Sequence, residues 1–526
     1  MAQQAVNPFE SIREAGADGH DRQQSNNVAV SVNGQQMVNG QDAAAHITVG
    51  AVSINSNGQI PPEPLASSYE PFIGLNADGE TLQQLASAIS DAARDQGYIF
   101  ASAQVPPQSV KIGVVQVQLD PGAIDEIRII GSKNRRLRRI LNKLKCNAAR
   151  AETVERQILL AGDLPSIRVN NTSYLRENGR GVLVVKVTEK KSRGYAALDN
   201  HGPNTLGPIR ARLKLDLAGL LTDGDVLTTN VISTVAQPKE LSYVSLRYAT
   251  VLGDGDVVVG FSASAGRTQS GGNLRARDFS GRSRYASAFG SLAIKRSNDL
   301  NLWLNAELAY LQVQQSENNF LFQKDEIVTA NLNFSGNYNI GFGRIYGGIG
   351  VTQGLGILGA NRNGDPLNSR FNGSGEFTKA NIWVNAILNM GDGFGMRLAG
   401  NGQIASRPLL AANEIAIGGP YFGRGYDFSE RFGDEGVLGL AELRKEFKDM
   451  TNWLDWFQLY GFVDGGYVFN IGTGFGDGTL ASAGGGIRAQ LGKIDFGIEA
   501  ATPLTDDRFE SGDKSPKINA QVGIRF

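Results

Sequence analysis

From Lys191 to Phe526, apolar and polar residues alternate in one stretch after another, and this period of two constrains the fold more than any other feature of the chain. In "IRARLKLDL", Ile209, Ala211, Leu213, Leu215 and Leu217 alternate with Arg210, Arg212, Lys214 and Asp216. In "NLWLNAELAY", Leu302, Leu304, Ala306, Leu308 and Tyr310 share a face. In the closing "KINAQVGIRF", Ile518, Ala520, Val522, Ile524 and Phe526 face one way, and Lys517, Asn519, Gln521 and Arg525 the other. Successive side chains of a strand point to opposite faces of a sheet, so each stretch makes a ribbon with one apolar and one polar side.

A soluble sandwich also alternates. Three features favour a closed membrane barrel. The stretches approach the ~10 residues that a tilted membrane strand needs. Turn sequences such as "GDGD", "SNDLN" and "GDGFG" separate them and suit hairpins. The sequence ends on an alternating strand with a terminal Phe, and closing the sheet removes edges that hydrocarbon cannot satisfy. The 336 residues from Lys191 to Phe526 hold roughly sixteen strands with their loops. Mean hydropathy is −0.21, and no run of ~18 apolar residues suggests a spanning helix. A barrel escapes both criteria, because alternation hides its apolar face.

The texture before Lys191 is different. Residues 1–44 are polar and read as a flexible segment, in which a short helix could occupy Pro8 to Gln24. The opening "MAQQAVNPFE" has no basic n-region or apolar h-region; either there is no signal peptide, or one has been removed and a Met added. From 45 to 190 two compact α/β units follow, assigned as 45–131 and 132–190. "TLQQLASAISDAARDQG" sets Leu82, Leu85, Ala86, Ile89 and Ala93 at helical spacing, and Gly97 stops it. "VKIGVVQVQL" and "IDEIRIIG" read as strands of the first unit. "NRRLRRILNKL" and "ETVERQILLAG" read as helices of the second, and "IRVNNTSYLRE" and "GVLVVKVTEK" as its strands.

Little in the chain points to chemistry. Its three histidines, His20, His46 and His201, are scattered. Cys146 is the single cysteine, so no intrachain disulfide forms and cysteine-based zinc spacing is excluded. Neither a phosphate-binding GxxxxGK[ST] nor a GxSxG elbow occurs. No catalytic residue, metal or cofactor is expected. Ser132 to Arg156 carries nine Lys/Arg against two Glu. Without interleaved aromatics it reads as a solvated helix face, or one turned to anionic lipid, rather than a nucleic-acid site. A net charge of −1 agrees.

Several local motifs resemble a known family. "GYIFASAQVPPQSVKIGVVQVQLDPGAIDEIRIIG" and "LLAGDLPSIRV" resemble parts of the first and second periplasmic POTRA domains of the outer-membrane translocators of two-partner secretion. These form the TpsB family, of haemolysin-secretion type, within the BamA-type superfamily. "YAALDNHGPNTLGPIRARLKLDLAGLLTDGDVL" resembles the start of their barrel, with Asp199, Asn200, Gly202 and Gly207 in familiar places. The family has a loop that folds back into the barrel lumen and ends in Arg-Gly-Tyr or Arg-Gly-Phe; "GRGYDF" matches it with Arg424, Gly425 and Tyr426. It also has a strand with Phe-x-Asp-x-Gly; "FVDGG" matches with Phe462, Asp464 and Gly466.

The resemblance implies a transmembrane antiparallel β-barrel over 191–526, preceded by two POTRA domains, with a lumen loop around 417–432. It implies that Arg424 is a latch, paired in bidentate fashion with Asp464 on the inner wall. Gly425 would let the tip turn and approach the wall, and Tyr421, Phe422 and Tyr426 would wedge it. Where the family often has Val before the Arg, this chain has Gly423, expected to loosen the backbone. Arg210, Arg212 and Lys214 are expected to line the lumen. The implied function is export of an unfolded exoprotein (a haemolysin, adhesin or contact-dependent toxin). POTRA domains would recognise it in the periplasm of a Gram-negative bacterium, and the barrel, a monomer in outer-membrane lipid, would pass it outward. The alternatives are an insertase of the same superfamily, a passive porin or an outer-membrane enzyme.

Overall fold

The computed structural model describes residues 30–32, 48–108, 113–451 and 454–526. They form two compact units, one of which gathers almost all of 191–526 and the other most of the chain before it.

The larger unit is a closed barrel of sixteen strands. Neighbours in sequence pair antiparallel, and closure comes where Ser192–Asp199 pairs with Lys517–Arg525, Tyr195 opposite Arg525 and Asp199 opposite Gln521. The period of two is realised along each strand. Ile518, Val522 and Ile524 stand on the exposed outer face while Asn519 is buried inside. Phe261, Ile349, Ile382, Val437 and Val463 are likewise exposed on the outside, each more than half accessible. A band of apolar side chains facing outward, with polar ones inside, is what a hydrocarbon surround requires. Among the described residues no helix is long and apolar enough to cross a membrane.

The smaller unit holds two α/β layers. In the first, the helix Gly79–Asp95 starts at Asp78, whose carboxylate accepts the Thr81 N–H, and its apolar stripe of Leu85, Ile89 and Ala93 is buried against Val115, Val117 and Leu119. Its sheet has the order Ala51–Asn55, Val114–Asp120, Ser102–Gln104. In the second, the helices Arg135–Asn142 and Ala151–Gly162 bury Leu137, Ile140, Val154 and Ile158. Arg135, Arg138 and Arg139 are exposed on the far side of their helix.

The strand Glu126–Ile130 corrects one sequence reading. Its place in the sequence puts it in the first unit, but it runs parallel to Arg180–Glu189 in the second sheet, Ile127 opposite Leu183. Parallel pairing across more than fifty residues of sequence leaves no local signal. The expected helix, Pro8 to Gln24, falls outside the described residues; of the segment 1–44 only Val30–Val32 are described, and they pair parallel to Thr172–Tyr174 at the edge of the second sheet. The two layers are fastened to each other. The Phe100 and Tyr174 rings stack at 4.0 Å, Arg176 donates to Asp120 at 2.5 Å, and Arg150 lies 4.8 Å over the Tyr98 ring.

Candidate functional site, a loop fastened inside the barrel

The strand Leu454–Phe469 sets the inner wall. Because side chains alternate, Phe462, Asp464 and Gly466 all face inward, together with Tyr460 and Val468, while Leu459, Val463 and Tyr467 face out. The spacing of Phe-x-Asp-x-Gly is thus the spacing of one face of one strand. Register then fixes the neighbours. Phe462 is opposite Glu442 on one side and Gly484 on the other, and Asp464 is opposite Ser482. Gly486 is opposite Glu499.

Two of those glycines make room for rings. A Cβ at Gly484 would stand 2.7 Å from Phe462 Cζ, and one at Gly486 2.5 Å from the Tyr460 hydroxyl. Without them the Phe462 and Tyr460 rings could not lie along the wall. Each ring carries a guanidinium: Arg424 at 3.3 Å from the Phe462 centroid and Arg488 at 3.7 Å from that of Tyr460.

Arg424 arrives on the segment between Ile417 and Arg431. Its neck is the short antiparallel pair Ile415–Ile417 with Arg431–Gly433. The guanidinium does not form the expected bidentate pair with Asp464. It divides among three carboxylates: Nε to Asp464 Oδ2 at 3.0 Å, Nη1 to Glu442 Oε2 at 3.1 Å and Nη1 to Glu499 Oε2 at 2.8 Å. The Arg424 backbone N–H also reaches Asp464 at 3.3 Å. The stacked Phe462 ring aligns the guanidinium plane along the wall, where three strands each present an acid. All four side chains are almost wholly buried. The acids have further partners: Arg488 donates to both oxygens of Glu442 at 2.9 and 3.1 Å, Tyr460 donates to Glu499 at 2.9 Å, and the Ser482 hydroxyl donates to Asp464.

The rest of the tip follows from close approach. Gly425 donates its N–H to Ser482 Oγ at 3.1 Å, and a Cβ there would lie 2.9 Å from Pro503 N and Ser482 Cβ. Tyr426 is fully buried with Ile417, Leu438 and Val468, and its hydroxyl is 2.8 Å from that of Thr505. Phe422 packs beside them, and Tyr421 is 42 % exposed. Gly423 corrects another expectation. Its φ is +76°, a conformation open to glycine and strained for a β-branched residue, so here it fixes the turn rather than loosening it. Asp427 accepts from Arg508 at 3.0 Å and Lys517 at 3.1 Å, tying the loop to segment 504–516 and the last strand.

Arg210 and Arg212 lie elsewhere, on the polar side of their strand, and both pair with Asp199, at 2.9 and 2.7 Å. Lys214 shares that face. Sequence reasoning missed Glu442, Glu499, Ser482 and Arg488. Their alternation parity was available, since Glu442 shares a face with the apolar Leu438 and Leu440, but the register joining four strands was not.

Comparison with known proteins places the chain in a family and a fold. Residues 179–489 match the family described as haemolysin secretion/activation protein ShlB/FhaC/HecB, and residues 47–122 match the ShlB-type POTRA domain. The chain is 22 % identical over 477 residues to the heme/hemopexin transporter protein HuxB of Haemophilus influenzae strain 86-028NP, covering 87 % of this chain and 83 % of that protein. It is 22 % identical over 432 residues to the outer membrane transporter CdiB of Dickeya dadantii strain 3937, covering 77 % and 73 %. Its fold resembles the solved structure of CdiB from Escherichia coli, with a TM-score of 0.77, 15 % identity and 99 % coverage of both chains.

Proposed function

Because the chain belongs to the ShlB/FhaC/HecB family of haemolysin secretion/activation proteins, we propose that it exports an unfolded exoprotein through its barrel, having first bound it through its POTRA domains. The observation that carries this reading is a ShlB-type POTRA match followed by a family match that runs through the barrel strands to residue 489. The barrel lies in the outer membrane of a Gram-negative bacterium and the POTRA domains in the periplasm. The exoprotein, a haemolysin, adhesin or contact-dependent toxin, adds a strand to an open POTRA sheet edge. Ala51–Asn55 and Glu126–Ile130 lie at such edges. The chain works as a monomer in lipid and is a transporter without enzymatic activity. Folding of the exoprotein outside the cell drives the transfer.

Arg424 acts as a latch that holds the lumen loop in one state of the export cycle. What supports this role is the burial of its guanidinium among Asp464, Glu442 and Glu499. The test is a secretion assay. The gene is deleted, wild type or Arg424→Ala is restored, and the large exoprotein encoded beside it is quantified in the medium. Export restored by wild type alone supports both transporter and latch. Normal export in the deletion strain overturns the assignment. An additional stall of many outer-membrane proteins would favour an insertase.

A further inference from the structure

The loop that enters the lumen has two ends, and only its tip is held by Arg424. The neck is held from another loop. Arg370, in segment 356–377, reaches the two residues that flank the hairpin pair Ile415–Gly433. Its Nη1 donates to Asp434 Oδ2 at 2.6 Å, to Glu414 Oε1 at 3.4 Å and to Asn470 Oδ1 at 3.0 Å. Its Nη2 donates to the carbonyls of Ile471 and Thr473 at 3.0 and 2.9 Å, in segment 470–477.

Asp434 is fully buried and answers in kind. One oxygen accepts the Leu409 N–H at 2.6 Å, and the other the Ile471 N–H at 2.8 Å. Two shorter ties run alongside. Ser369 Oγ accepts the Ala411 N–H at 2.9 Å, and Asn372 Nδ2 donates to the Thr473 carbonyl at 3.0 Å. All three segments connect strands at the same end of the barrel, the end reached by the first strand as it leaves Ser192. None of the hydrogen bonds of Arg370 and Asp434 reaches the Arg424 cluster.

A buried Arg–Asp pair that also satisfies backbone groups of two other loops is worth little as general stabilisation. Its directional fork instead specifies one arrangement of the loops. The geometry points to Arg370 as a clasp across the neck of the lumen loop, which fastens the three loops over the barrel end and must release before a chain can pass. This rests on the export reading. Arg370 is a positioning residue, acting through Glu414 and Asp434.

The test records the purified protein in planar lipid bilayers with no exoprotein present. Arg370→Gln should raise the frequency of wide openings by about tenfold or more. Protection of the Gly418–Ser429 tip from protease should remain as in wild type. Arg370→Lys, which keeps the charge but loses the fork, should fall between the two. An Arg370→Gln protein that assembles and opens as seldom as wild type overturns the clasp. Should Arg370→Gln fail to assemble, the same question is put by Ser369→Cys with Ala411→Cys in a Cys146→Ser background, since Cys146 is a free exposed thiol. Oxidation should abolish wide openings and reductant restore them; unchanged openings in the oxidised protein overturn the clasp. If the exoprotein is exported without this chain, the export reading fails while these recordings still decide the clasp.

Discussion

Replacing Arg424 with Ala removes one cation from three buried acids, and the three are not left equally exposed. Glu442 keeps Arg488 on both oxygens and Arg444 at 3.2 Å. Glu499 keeps the Tyr460 hydroxyl, and Asp464 keeps only neutral donors, from Ser482 and the backbone of residue 424. Glu499 also stays within the field of Arg488, so the charge left most fully orphaned is Asp464. Breaking a buried pair from one side typically costs ~3–5 kcal/mol, and losing the guanidinium over Phe462 adds ~1–2 kcal/mol. Relief through the remaining partners brings the net loss for the docked tip to about 3–4 kcal/mol, a shift of roughly 10²–10³ in the docked-to-free ratio. That is a local loss, because the closed strand ladder of the barrel is untouched. The variant should assemble normally, export little exoprotein, and expose Gly418–Ser429 to protease. Adding Asp464→Asn should recover part of the tip's protection by removing the orphaned charge, while Arg424→Lys should not restore export, as one ammonium cannot serve three acids. Full export by Arg424→Ala, or a double variant no better protected than the single, refutes the reasoning.

Gly423→Val forces a β-branched residue to φ +76° with Gly418 N 3.1 Å from the new Cβ; it should cost the docked tip ~1–3 kcal/mol and show as reduced export with normal assembly. Gly425→Val should unseat the tip more completely, since the obstacle is the Pro503 backbone, and an unaltered protease pattern would contradict the close approach. An arginine at Val463, on the exposed outer face, should lower barrel stability by ~2–4 kcal/mol in urea unfolding from lipid, whereas the same change at an inner position should not follow that rule. In the smaller unit, burial raises the Asp120 carboxyl, but the hydrogen bonds from Arg176 and the Gly122 N–H, with the charge of Arg176, together outweigh it and hold the group below its usual range. Its contribution is therefore complete above the unfolded value of about 4 and fades as pH falls below that. Arg176→Ala should flatten the acid limb of the thermal-melting profile of that unit, and an unchanged limb would rule the pair out as its cause.

Alternation by itself fixed the class of the larger unit. Runs such as 209–217 and 517–526 have a wholly apolar face, which only a membrane or a core can cover, and their number and turns leave a closed barrel as the arrangement without edges. The motifs also picked out Arg424 and Asp464, because a strand's period of two puts Phe462, Asp464 and Gly466 on one inner face. What the sequence could not decide was register. Glu442, Ser482 and Glu499 come to Arg424 only because Glu442 pairs with Phe462, Ser482 with Asp464, and Glu499 with Gly486. A slip of one residue would turn every one of them to the lipid side. The same reason hid the true home of Glu126–Ile130, whose partner lies across the second unit, and the meeting of Arg370 with Asp434. Local pattern sets which way a side chain faces; only the closed sheet and its loops set what it faces.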